Sequence, residues 1–98
     1  MIDFLEDLGI KRDTILKLNK IYEINQLYDL SCNKEECSKI IEYFRTIGII
    51  EVDKLIEYRL DLFYKTLSQV EKLFQKLGES TIVTLINEDY TNIELLFR

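Results

Sequence analysis

The sequence predicts an all-α protein: a short right-handed helical-repeat stack of about three helix-turn-helix units, with an irregular helical bundle as the alternative. Three observations carry this. The first is a pattern present three times, ending at Gly9, Gly48 and Gly78, with apolar side chains eight, five, four and one positions before each glycine. These are Met1, Phe4, Leu5 and Leu8, then Ile40, Tyr43, Phe44 and Ile47, then Val70, Leu73, Phe74 and Leu77. The spacing describes one face of a helix, and glycine ends helices readily because it takes positive φ without a Cβ clash. The second is punctuation: the 98 residues include only these three glycines and no proline, which favours helices joined by short turns. The third is a shared spacing beyond the glycines. Val52, Leu55, Ile56, Leu60 and Phe63 come after Gly48 at the offsets that Ile82, Leu85, Ile86, Tyr90 and Ile93 take after Gly78. The first copy is looser, with Leu16 and Ile21 at two of those offsets.

Each element has its own justification. Residues 2–8 read as a first helix whose Asp3, Glu6 and Asp7 suit the polar outer face of a terminal unit. Helices are expected at 12–20 and 22–30. The first two glycines are 39 residues apart and the last two 30, so the excess fits an insertion around Asn25–Asn33. Asn33 with Glu36 forms an asparagine capping box opening a helix at 34–47. A helix at 51–58 and a short helical turn at 60–64 complete the second unit. Ser68 with Glu71 opens a helix at 68–77, a helix at 80–87 comes next, and Thr91 with Glu94 opens the last at 92–97. The units, about 1–33, 34–66 and 67–98, make one all-helical domain. No unit can bury its apolar stripe alone, so neighbours must share a core.

Charge and composition narrow the functional classes. Thirteen basic and eighteen acidic residues give a net charge of −5, against the expectation for a nucleic-acid-binding domain. Met1 leads into Asp3, Glu6 and Asp7 rather than into a positive n-region and an apolar run. No segment approaches the roughly 18 apolar residues that span a bilayer. The expected location is cytoplasmic.

Catalytic chemistry is not expected. There is no histidine, which removes the usual general base and the commonest metal ligand. No glycine-rich phosphate loop exists, because the glycines are far apart. Cys32 and Cys37 are five apart, a spacing that puts two thiols on different faces of one helix and supports no zinc site; both are read as reduced. Glu35-Glu36 and Glu88-Asp89 are adjacent rather than one turn apart, so on a helix their side chains diverge into solvent. No enzyme, cofactor or metal site is predicted.

The run Leu8-Gly9-Ile10, with Ile47-Gly48-Ile49 before Leu55-Ile56 and Leu77-Gly78 before Leu85-Ile86, resembles the mitochondrial transcription termination factor repeat. The resemblance spans nearly the whole chain and rests on hydrophobic spacings. It implies two helices and a short third turn per repeat, stacked into a curved solenoid, often with a nucleic-acid-binding concave face. Where that family commonly carries proline, this chain has Ile21, Leu60 and Tyr90, and where its groove is basic, this chain is acidic.

Two functions are expected on these grounds. The first is a small interaction module that binds another protein, its acidity suiting a basic-surfaced, nucleic-acid-binding partner that it regulates or inhibits. Tyr58 and Tyr64 flank the turn after the second unit and are the candidate contact residues, because tyrosine offers area at low entropy cost. The second, implied by the resemblance, is nucleic-acid binding through the basic stretch of Lys11, Arg12, Lys17 and Lys20. A homo-oligomer pairing through exposed Leu95, Leu96 and Phe97 is a third arrangement.

Overall fold

Nine helical segments succeed one another with no strand in a computed structural model that describes all residues from Met1 to Arg98. Seven are α-helices: α1 (Phe4–Asp7), α2 (Arg12–Ile21), α3 (Ile24–Ser31), α4 (Lys34–Thr46), α5 (Val52–Tyr58), α6 (Leu67–Leu77) and α7 (Glu79–Glu88). Two are 3-10 segments, Leu60–Tyr64 and Tyr90–Phe97. The final segment is therefore a 3-10 run rather than the expected α-helix at 92–97. In the second and third units a longer helix, a shorter helix and a 3-10 segment come in the same order. In the first unit, α3 fills the stretch read as an insertion. Helix α2 packs beside α5, α4 beside α6, and the last 3-10 segment beside α5, α6 and α7.

All three glycines adopt positive φ, but they do so in two different joints. After α1, the Gly9 N–H donates to the Glu6 carbonyl and the Ile10 N–H to the Leu5 carbonyl. After α4, the Gly48 N–H donates to Arg45 and the Ile49 N–H to Phe44. This double closure is the Schellman motif, and its hydrophobic partner is in place because Ile10 and Ile49 are buried beside Leu5 and Phe44. Glu79 stands at the corresponding place after Gly78 and cannot make that apolar contact. Only the Gly78 N–H bond back to Gln75 forms there, and Gly78, at φ 87 and ψ 123, ends α6 while leading directly into α7.

The apolar pattern sorts by depth. Four residues before each glycine lie Leu5, Phe44 and Phe74, all fully buried. One residue before it, Leu8 and Ile47 are half-buried and Leu77 is exposed. Val52, Leu55, Ile56, Leu60 and Phe63 all enter the core, as do Ile82, Ile86 and Ile93. The first unit departs from the expectation: Leu16 and Ile21 are exposed, and Ile15 and Leu18 are buried in their stead. Helix α2 begins three residues after its glycine and α5 four, and one residue turns the buried face by about 100°.

Capping also differs from the local sequence signals. The box before α6 is Thr66 with Gln69, the Gln69 N–H donating to Thr66 Oγ1 and the Thr66 N–H to Gln69 Oε1, so Ser68 and Glu71 are not the cap. Asp89, not Thr91, caps the last segment by accepting from the Thr91 N–H at 3.0 Å. Asn33 precedes α4 but its amide donates to the Phe63 and Lys65 carbonyls across the fold. Glu36 accepts from the Leu67 N–H, and this bond together with Lys39 holds its carboxyl below the usual range. Asn33 and Glu36 thus bond to a neighbouring unit rather than cap α4, Glu36 also pairing with Lys39 on its own helix.

The 25-residue core centres on aromatics. Phe44 meets Phe63 edge-on at 5.5 Å and Phe74 at a tilt of 31° at 5.3 Å, joining α4, the first 3-10 segment and α6. Buried polar groups are paired: Thr14 Oγ1 donates to Glu57 Oε2, and no buried side-chain nitrogen or oxygen lacks a partner.

Core titration gives a directional expectation. Burial pushes the Cys37 thiol up to about 12 from an ordinary 9.0. Burial, then the Asp29 charge, pushes the Tyr64 hydroxyl up to about 12 from 10.0. Above pH 9 the unfolded chain loses these protons first, so the folded state binds more protons and stability falls with rising pH up to about 12. The urea midpoint is expected to be flat near neutrality and to drop progressively above pH 9. Cys37→Ala should flatten the first part of that drop, and an unchanged slope would mean that the thiol ionises in place.

Candidate protein-interaction surface

The tyrosines expected to mark an interface occupy different environments. Tyr64 is half-buried, and its hydroxyl donates to the Gln26 carbonyl at 2.7 Å, tying the first 3-10 segment to α3. Tyr58, at the end of α5, is 38% exposed and meets Tyr90 edge-on at 5.5 Å. Desolvation, then the Glu94 charge, raises the Tyr58 hydroxyl above its ordinary value. The ring pair forms one wall of a groove of about 200 Å³ lined by Ile21, Lys54, Glu57, Tyr58 and Tyr90. Ile21, at the end of α2, is 60% exposed there. A branched aliphatic and two aromatics thus share the groove with Lys54 and Glu57.

Glu57 fixes the floor of this groove. Its carboxylate accepts from Thr14 Oγ1 at 3.0 Å and lies 3.6 Å from Lys17 Nζ, while its carbonyl accepts from the Tyr22 hydroxyl at 2.7 Å. Helices α2 and α5 are thereby held side by side. The groove lies between rigid elements, which favours precise presentation of side chains.

Two of the four cations of the basic stretch, Arg12 and Lys17, pair with carboxylates of the fold. Arg12 reaches Glu6 at 3.4 Å and Asp3 at 3.6 Å, and Lys17 pairs with Glu57. The Lys11 backbone N–H donates to Asp53 Oδ2 at 2.9 Å, with its ammonium left in solvent. Lys20 is exposed and forms no ion pair within the chain. Four acidic side chains thus surround the stretch, lowering its attraction for phosphate.

The C-terminal residues do not form the exposed apolar end expected for homo-oligomer pairing. Leu96 is buried, Leu95 and Phe97 are half-buried, and the Arg59 guanidinium covers the Phe97 ring at 3.9 Å. Arg59 is itself held by both oxygens of Asp61, at 2.9 and 2.8 Å, and by Glu94 at 2.9 Å. The cause is an intramolecular one: the last segment folds back on α5, α6 and α7 and spends its apolar side chains there.

Two further features complete the surface. A polar groove of about 630 Å³ runs between the α1–α2 turn and α4, bordered by Asp7, Ser38, Glu42, Arg45 and Thr46. Arg45 donates to the Leu8 carbonyl and so belongs to the architecture. A groove of about 310 Å³ along α6 is lined by Lys65, Gln69, Lys72, Leu73 and Lys76. These lysines give little signal in the sequence because they are dispersed among other residues, although Gln69, Lys72, Leu73 and Lys76 recur at helical spacing. No group of three or more Cys, Asp or Glu side chains comes together in an arrangement suited to a metal ion. Cys32 is exposed and Cys37 buried, both as free thiols, and no helix is long and apolar enough to cross a membrane. Compared with known protein families, curated proteins and solved structures, the chain matches none.

Proposed function

We propose that the protein is a small, non-enzymatic cytoplasmic module that binds another protein and regulates it. The observation that carries this reading is the Ile21–Tyr58–Tyr90 groove: exposed Ile21 and Tyr58 on two helices that Glu57 fixes together, with half-buried Tyr90 of the last 3-10 segment beside Tyr58. Such anchors supply most of the energy in protein interfaces. The net charge of −5 favours a partner with a basic surface, such as a nucleic-acid-binding protein that the module inhibits. The free thiol of Cys32 suits a reducing compartment.

The test is affinity capture from the native cell, after nuclease treatment, with the wild-type chain and an Ile21→Ser, Tyr58→Ser variant. A basic protein retained by wild type in low salt, released as salt rises and lost with the variant is the expected result. Loss of one aromatic anchor should weaken binding by about 2 kcal/mol, roughly thirty-fold. Retention that ignores both salt and the two substitutions would overturn the assignment.

The alternative is nucleic-acid binding through Lys11, Arg12, Lys17 and Lys20, by resemblance to mitochondrial transcription termination factor repeats. The ion pairs of Arg12 and Lys17 weigh against it. It requires RNA or DNA affinity that Lys17→Glu with Lys20→Glu abolishes.

A further inference from the structure

We propose that the face of α6 carrying Lys72 and Lys76 is a second docking site, which takes an acidic amphipathic helix of a partner protein. The site is separate from the Ile21–Tyr58–Tyr90 groove and opposite to it in charge preference.

Helix α6 has two distinct sides. Val70 and Phe74 are fully buried against the core, while Gln69, Lys72 and Lys76 are exposed and Leu73 is half-buried at the boundary. Gln69, Lys72, Leu73 and Lys76 recur at intervals of three and four, so they form one ridge along the helix. Lys65, just before the helix, joins them in the groove of about 310 Å³.

Three cations therefore share one groove in a molecule of net charge −5, and no carboxylate lines it. None of Lys65, Lys72 and Lys76 lies within ion-pair distance of an acid, whereas Arg12, Lys17, Lys39 and Arg59 all do. Neither acidic neighbour lines the groove. Asp61 acts on Lys65 at longer range, but both its oxygens bond Arg59. Glu71 is next to Lys72 on the same helix and does not line the groove.

The chemistry of the groove selects its occupant. Lysine is a point charge that attracts carboxylate and phosphate alike, so the choice rests on the rest of the lining. No aromatic side chain lines the groove, so bases have no platform on which to stack. Leu73 instead offers an apolar contact between the lysine stems, which themselves cover apolar surface. A helix with one apolar residue facing Leu73 and glutamates one turn to either side would match both features.

The probe is a fluorescent synthetic helical peptide carrying one leucine flanked at helical spacing by glutamates. Its controls are the same peptide with glutamine for glutamate, and a labelled oligouridylate. Fluorescence anisotropy against the full chain should show acidic-peptide binding that weakens with salt. Lys72→Glu with Lys76→Glu should reduce it about ten-fold, and Lys72→Gln with Lys76→Gln by less. Leu73→Ser should also weaken it. The lysine substitutions lie on an exposed ridge and Leu73 at its half-buried edge, and circular dichroism checks that each variant stays helical. Unchanged affinity in the charge-reversed chain, equal binding of the glutamine peptide, or tighter lysine-dependent binding of oligouridylate would each overturn the proposal. So would lysine-dependent self-association seen by light scattering, which would make a second copy the occupant. Capture through Tyr58 should be unaffected by the lysine changes, so the two surfaces stand or fall separately.

Discussion

Phe44→Ala is expected to lower stability by about 3–5 kcal/mol, the largest effect of any single truncation in this chain. Phe44 is fully buried, and its ring is the meeting point of α4, the first 3-10 segment and α6 through Phe63 and Phe74. Truncation removes the transfer free energy of the ring and leaves a cavity that rigid helices on three sides cannot fill. It also removes three aromatic contacts, to Tyr43, Phe63 and Phe74, each contributing about 0.5–1.5 kcal/mol. A domain of this size has a total stability of about 5–15 kcal/mol, so the variant should melt roughly 15–30 °C lower or fail to fold. Phe44→Leu keeps most of the volume and should cost about half as much or less. Chemical denaturation of the three proteins checks the order. If Phe44→Ala and Phe44→Leu lose similar amounts, the packing of the ring does not hold the units together.

The second large effect separates two glycines that look alike in sequence. Gly78→Asn should cost about 1–3 kcal/mol, and Gly48→Asn less, although its φ of 103 also strains a side chain. Neither site lacks space: an added Cβ would lie 3.8 Å from Val83 at Gly48 and 3.7 Å from Thr81 at Gly78. The backbone therefore decides. Gly48 closes a Schellman motif, where asparagine is the accepted substitute for glycine. Gly78 combines φ 87 with ψ 123, far from the left-handed helical values near +47° for ψ that asparagine tolerates. Gly9 is not a clean comparison, because a Cβ there would also sit 3.1 Å from the Arg45 guanidinium. Equal losses at the two positions, measured by urea unfolding, would show that the α6–α7 joint relaxes to accept a side chain.

The helices and their order were legible in the sequence because each carries an apolar face at helical spacing, and glycine is the only residue that takes the required φ readily. Tyr58 was legible as an exposed aromatic because it falls outside the apolar face of its unit. Its partners in the groove were not: Ile21 occupies a core offset of the repeat, and Tyr90 comes from a segment 32 residues away. Tyr64 looked equivalent to Tyr58 until the fold supplied the Gln26 carbonyl for its hydroxyl. The α6 lysines gained meaning only once Lys65 was brought beside Lys72 and Lys76.

By itself the sequence determined the all-helical class, the three helix-ending glycines and most helix limits, since these depend on interactions within a few residues. Tertiary structure alone decided which charges are spent and which remain free. Arg12, Lys17 and Arg59 find carboxylates on other elements, while Lys65, Lys72 and Lys76 find none. It also decided that Asn33 and Glu36 bond across units rather than cap α4. The physical reason is the same in each case. Local spacing fixes backbone conformation and the buried face of a helix, but polar side chains choose partners by distance in space, and that distance exists only after the helices pack.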